Sequence, residues 1–135
     1  MSFIDWSDSL SVKVMEIDNQ HRELVRILNE LHDAMKNGKA KNVLNDILSR
    51  LIGYTKSHFK TEERLFTLHK YPDTESHKAE HDDFIKKVGE FKEKFDSGSV
   101  SLSVEVIRFL SSWVQNHITV TDKKYSQFFN SKGII

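Results

Sequence analysis

The chain contains no cysteine, which excludes disulfides, thiolate metal sites and cysteine nucleophiles together. With one proline and five glycines it has little that would interrupt long helices. No stretch approaches the ~20 apolar residues of a membrane span. The first six residues, Met-Ser-Phe-Ile-Asp-Trp, form neither a basic n-region nor an apolar h-region. The expected location is therefore the cytoplasm, with no membrane partner. An excess of one charge is missing too: Lys+Arg 20 against Asp+Glu 20 leaves no global attraction for nucleic acid or an anionic surface. The pairs Lys86-Lys87 and Lys123-Lys124 read as solvated helix faces. Period-two alternation, internal repeats and low-complexity segments are also absent.

What is present is 135 residues, 38% hydrophobic and 30% charged, enough for one soluble domain with a single sizeable core. Residues 1–17 read as an arm in which Phe3, Ile4 and Trp6 are available for packing. Apolar residues then recur at helical spacing over about 19–36, 41–67, 74–95 and 102–129. Asp18 is expected to cap the first helix and Asn37-Gly38 to end it. Tyr71-Pro72-Asp73 marks a turn, Thr74 a cap for the third helix, and Asp96-Ser97-Gly98-Ser99 its end. The fourth helix is expected to start near Ser101 or Ser103. The fold class is all-α: an antiparallel up-down four-helix bundle with an N-terminal arm.

The stripes that should be apolar are not wholly so. His21, His58, Glu62, His77, His81 and His117 all fall on inward positions. Taken singly, an inward histidine is most often a hydrogen-bonded core residue. A buried carboxylate such as Glu62 is harder to accommodate, because without a partner it costs several kcal/mol or gives up its charge. A metal is one solution common to all six. His58 and Glu62 lie at i and i+4, about 6 Å apart on one face, and His77 and His81 repeat that spacing. Imidazole suits iron, copper, nickel and zinc, and carboxylates can bridge two ions.

Asp122 is the awkward candidate. On a regular helix, five steps from His117 turn the chain about 500° and leave Asp122 ~140° off the seam. The run Ile118-Thr119-Val120-Thr121 is β-branched throughout and weakly helical, so a π-like widening there is expected to return Asp122 to the interior. His32 shares the face of His21 but lies ~16 Å along the axis, too far for one site. His69 falls at the end of the second helix, and Glu63 is expected to face solvent.

In this order, His21, His58-x3-Glu62, His77-x3-His81 and His117-x4-Asp122, the chain resembles the hemerythrins, most closely the single-domain bacterial ones. The likeness extends to Trp6, Ile17-Asp18-Asn19-Gln20, Phe59, Glu63, Tyr71-Pro72, Phe84, Trp113 and Ile118. Lys13 departs from it, where relatives often have glycine.

The resemblance implies two non-haem iron ions joined by an oxo or hydroxo bridge. His77, His81 and His117 would hold one iron, His21 and His58 the other, with Glu62 and Asp122 bridging both. Two octahedral ions offer about twelve positions, and this set fills about eleven. The vacancy, on the iron with two histidines, is where dioxygen would bind reversibly. Phe59, Trp113, Val114 and Ile118 would line that pocket and exclude water. The expected function is oxygen carriage, storage or sensing by a monomer. A di-iron oxidase, peroxidase or nitric oxide reductase is the alternative, and a metal-free structural bundle the plain one.

Overall fold

The structure, a computed structural model, describes residues 4–98 and 102–135; Phe3, Ser99 and Ser101 lie outside the described residues. Helix α1, Met15–Lys36, begins where Val14 takes an extended conformation (φ −128°, ψ 109°). Asp18 is therefore not the N-cap that its residue type predicts, but a member of the first turn. Its carboxylate instead accepts from the Val12 amide (2.8 Å) and the Ser11 hydroxyl (2.6 Å). The helix starts about four residues early because this carboxylate fastens the arm rather than the helix end. Glu16 and Asp18 also place negative charge at the positive end of the helix dipole.

The arm is pinned at two more points. Asn29 on α1 brackets Ile4, accepting from its amide at 2.9 Å and donating to its carbonyl at 2.8 Å. The Arg22 guanidinium lies 4.8 Å from the Trp6 ring centre. Gly38 (φ 69°) ends α1 in the left-handed conformation that glycine adopts without steric cost.

Helix α2 runs Ala40–His69, and its last turn closes on left-handed Lys70 (φ 57°) with the Tyr71 amide donating to the Phe66 carbonyl. Pro72 follows in the turn, where its fixed φ is an asset. Helix α3, Thr74–Asp96, has Asp73 rather than Thr74 at its N-cap position. The Thr74 hydroxyl turns back to the Tyr71 carbonyl (2.6 Å) and braces the turn. The last rod is composite: α4, Leu102–Trp113, a π-helix, Val114–Asp122, then α5, Lys123–Ser131. Among the described residues there is no strand, and no helix is long and apolar enough to cross a membrane.

The turns joining α1 to α2 and α2 to α3 are a few residues long, so these helices reverse direction and pack side by side, with α4 closing the bundle against α1 and α3. The buried apolar residues form two clusters. The larger joins Leu24, Leu28, Leu48, Leu51, Phe84 and Leu110 with their neighbours. The smaller joins Val12, Val14 and Ile17 of the arm and α1 to Phe66, Tyr71, Tyr125 and Phe129. On α1, α2 and the composite last rod the inward histidines and carboxylates fall between the stretches that feed these two clusters, and on α3 they fall between Tyr71 of the preceding turn and Phe84. A polar layer is thus sandwiched between two apolar ones.

Lys13 has φ 60° at the turn into α1, where its carbonyl accepts from Asn130 (3.0 Å). A side chain held left-handed costs about 1–2 kcal/mol, partly offset because it restricts the unfolded chain more than glycine would. Lys13→Gly is accordingly expected to stabilise the fold by up to about 1 kcal/mol. Urea unfolding of the two proteins checks this, and a midpoint that falls on substitution contradicts it.

Candidate metal centre

The π-helix brings Asp122 to the interior. Nine residues in the wider coil put positions five apart on one face, so His117 Nε2 and Asp122 Oδ1 lie 2.9 Å apart. The widening expected from the β-branched run is present, and Asp122 is fully buried.

All seven residues converge. Their potential ligand atoms form two groups, each with every pair of atoms within 4.8 Å: Glu62, His77, His81, His117 and Asp122 in one, His21, His58, Glu62 and Asp122 in the other. The carboxylates belong to both. His77 Nε2 is 2.8 Å and His21 Nε2 2.9 Å from Asp122, while His58 and His81 Nε2 are each 3.1 Å from Glu62. His21 and His58 approach each other Nε2 to Nε2 at 3.1 Å. His32 and His69 stay outside both groups.

Short as these contacts are, Nε2 of His77, His81 and His117, Oε1 of Glu62 and both Asp122 oxygens have no hydrogen bond although buried. Proximity without hydrogen-bond geometry means that the lone pairs aim at shared points between the residues, not at one another. Orphaned buried acceptors converging in this way fit a cation.

The outer nitrogens explain how the rings are held. Nδ1 of His58 meets the Gln20 side-chain oxygen (2.5 Å), Nδ1 of His81 meets Glu63 (2.9 Å), and Nδ1 of His117 meets Glu80 (2.8 Å). Each contact places the proton on Nδ1 and leaves the Nε2 lone pair inward, as a metal-binding imidazole requires. Glu63 is thus not the solvated residue that its position suggests. Thr121 donates to Glu80 and Thr61 accepts from Gln20, fixing both orienting groups. Tyr125 donates to Glu62 Oε2. None of Gln20, Glu80 and Tyr125 stands out in the sequence as a site residue. Gln20 and Glu80 precede His21 and His81 directly, yet each serves a histidine on a different helix.

Aromatic rings complete the shell. Phe59 stacks on His81 (3.8 Å between centroids, 5° between planes) and Trp113 on His117 (3.9 Å, 16°). Tyr54 stacks on His58 at 5.0 Å and 20°.

Burial, and the charge of Asp122, push the Glu62 carboxyl up, yet His58 and His81 outweigh them and hold it below the usual carboxylate range. Burial likewise opposes ionisation of Asp122, which His117, His21 and His77 overcome. Burial lowers His117, but Asp122, Glu62 and Glu80 raise it to about 9. Burial lowers His58. The interior therefore carries two carboxylate charges that positive charge on the surrounding histidines, or on cations in its place, must balance.

An antiparallel helical bundle with five imidazoles and two shared carboxylates in its core defines the class: bundle proteins with a buried histidine–carboxylate cluster suited to a metal centre. Residues 12–129 match the hemerythrin HHE cation binding domain. The chain belongs to the hemerythrin family. It is 35% identical to the bacteriohemerythrin of Stenotrophomonas maltophilia, over 93% of this chain and 81% of the relative. It is 32% identical to that of Methylococcus capsulatus, over 93% and 95% of the two chains. A crystal structure of wild-type hemerythrin superposes with a TM-score of 0.84 at 31% identity, covering 93% of this chain and 97% of that one.

If Asp122 serves both metal positions, Asp122→Ala should lose at least one metal per chain, whereas His32→Ala should keep the parent's content. Elemental analysis of the two purified variants decides this. A full metal complement in Asp122→Ala would show that the π-helix does not serve the site.

Proposed function

We propose that this protein binds two iron ions and takes up dioxygen reversibly between them and the protein wall. The observation that carries the reading is the asymmetry of the two groups, three histidines against two around the same pair of carboxylates. That asymmetry leaves one coordination position free, on the side of His21 and His58. When bound, the ferrous pair supplies two electrons to dioxygen and recovers them on release. His77, His81 and His117 would hold one ion and His21 and His58 the other, with Glu62 and Asp122 shared between them. The hemerythrin and bacteriohemerythrin names of its relatives support the same assignment.

The chain's own contribution is to exclude water and misplaced protons. Phe59, Val114 and Ile118 are buried and Trp113 half-buried, and we assign all four to the lining of the oxygen pocket. The acids that contact ligand histidines, Glu63 and Glu80, bond to His81 and His117 in the three-histidine group. On the two-histidine side His58 is oriented by the neutral Gln20. An oxidase or peroxidase would need an acid on that side, so the distribution favours carriage over turnover. The same reading takes the protein as a cytoplasmic monomer.

Dithionite-reduced protein, freed of reductant under nitrogen, should be nearly colourless, develop a strong visible charge-transfer band in air, and lose it on flushing with inert gas over repeated cycles. Irreversible oxidation on the first exposure, with stoichiometric release of hydrogen peroxide, would replace carriage by the enzymatic reading.

A further inference from the structure

The lining of the two-histidine side is not wholly apolar. Tyr54, on α2 one turn before His58, is buried within the larger apolar cluster, and its hydroxyl has no hydrogen-bond partner among the described residues. Its ring lies against the His58 ring at 5.0 Å and 20°, with Phe59 edge-on at 6.5 Å. Buried tyrosine hydroxyls almost always find an acceptor, because an unmade bond forfeits the hydration of the free group. The other buried tyrosine beside the cluster obeys this rule: Tyr125 donates to Glu62.

The two tyrosines therefore divide between the two groups. Tyr125 packs on His77 of the three-histidine group (5.5 Å, 30°) and is satisfied by a bridging carboxylate. Tyr54 packs on the two-histidine side, where the proposed ligand set leaves its open position, and its hydroxyl is satisfied by nothing among the described residues. The unpaired donor thus sits one helical turn from His58 on the same face, on the two-histidine side of the cluster.

We propose that Tyr54 is a positioning residue whose hydroxyl donates a hydrogen bond to the small exogenous ligand, an anion or a reduced diatomic molecule, that occupies the open position on the His21–His58 side. This rests on the two-iron reading above. As a neutral phenol beside a single-facing vacancy, Tyr54 stabilises negative charge that develops on the incoming ligand without handing over its proton. It also favours ligands with an acceptor at the outer atom, since one lacking it would leave the hydroxyl unpaired.

Azide is a suitable probe, because it binds ferric ions as an anion and offers an outer nitrogen acceptor. The iron-loaded, oxidised parent protein and its Tyr54→Phe and Tyr54→Leu variants should be titrated with azide and the charge-transfer band recorded. Tyr54→Phe keeps the ring on His58 and removes only the hydroxyl. It should retain the parent's iron content, bind azide roughly 3- to 10-fold more weakly, and show a shifted band. Tyr54→Leu, which also removes the stacking, should be no tighter than Tyr54→Phe. Parent-like affinity and band in Tyr54→Phe would overturn the proposal. So would loss of iron from Tyr54→Phe, since the hydroxyl would then serve assembly of the site and not its ligand. If the parent itself holds no iron or gives no azide band, the two-iron reading has failed, and with it this inference.

Discussion

Two ionised carboxylates sit at the centre of this bundle, fully buried, with the inner nitrogens of five histidines turned toward them. Burying such charge costs several kcal/mol per ion unless it is compensated, and imidazoles are poor compensation because most must stay neutral to present their lone pairs. Metal cations resolve both demands at once. They would neutralise Glu62 and Asp122 and give the Nε2 atoms something to donate to. The rest of the structure follows from holding that arrangement in place.

The two apolar clusters can be understood in these terms. Each lies on one side of the polar layer and shields it, so that water does not compete for the ligands. The arm, often a loose end in a small bundle, is here part of the smaller cluster: Val12 and Val14 pack with Phe66 and Tyr125, and Asp18 ties the backbone down. The π-helix is a local cost, since weaker helical geometry at Val114–Asp122 places the Asp122 carboxylate on the same face as His117. Outside the ligands, Gln20, Glu63, Glu80 and Tyr125 turn the site from a collection of donors into a fixed geometry.

Much of this was legible in the sequence because helical periodicity converts directly into a map of inward positions. Six of the seven converging residues lie on stripes that should be apolar, and the seventh, Asp122, was recoverable from the β-branched run that precedes it. What escaped was set by contacts between helices. Gln20 and Glu80 each stand beside a histidine in sequence, and Glu63 beside Glu62, yet all three orient a histidine on a neighbouring helix, a relation that no single-helix pattern contains. Asp18 misled for a similar reason: its residue type favours capping, but its carboxylate is engaged by the arm. Tyr54 and Phe59 look like ordinary core residues, and only their stacking on His58 and His81 sets them apart.

The central claim is that the buried charge is balanced by two unlike iron ions, and iron content combined with Mössbauer spectroscopy tests it most directly. Protein purified from cells supplied with iron-57 should contain close to two irons per chain. After reduction and exposure to dioxygen it should give two doublets of equal area, one for the three-histidine position and one for the oxygen-bearing two-histidine position. One metal per chain, zinc in place of iron, or a single iron environment would contradict the account.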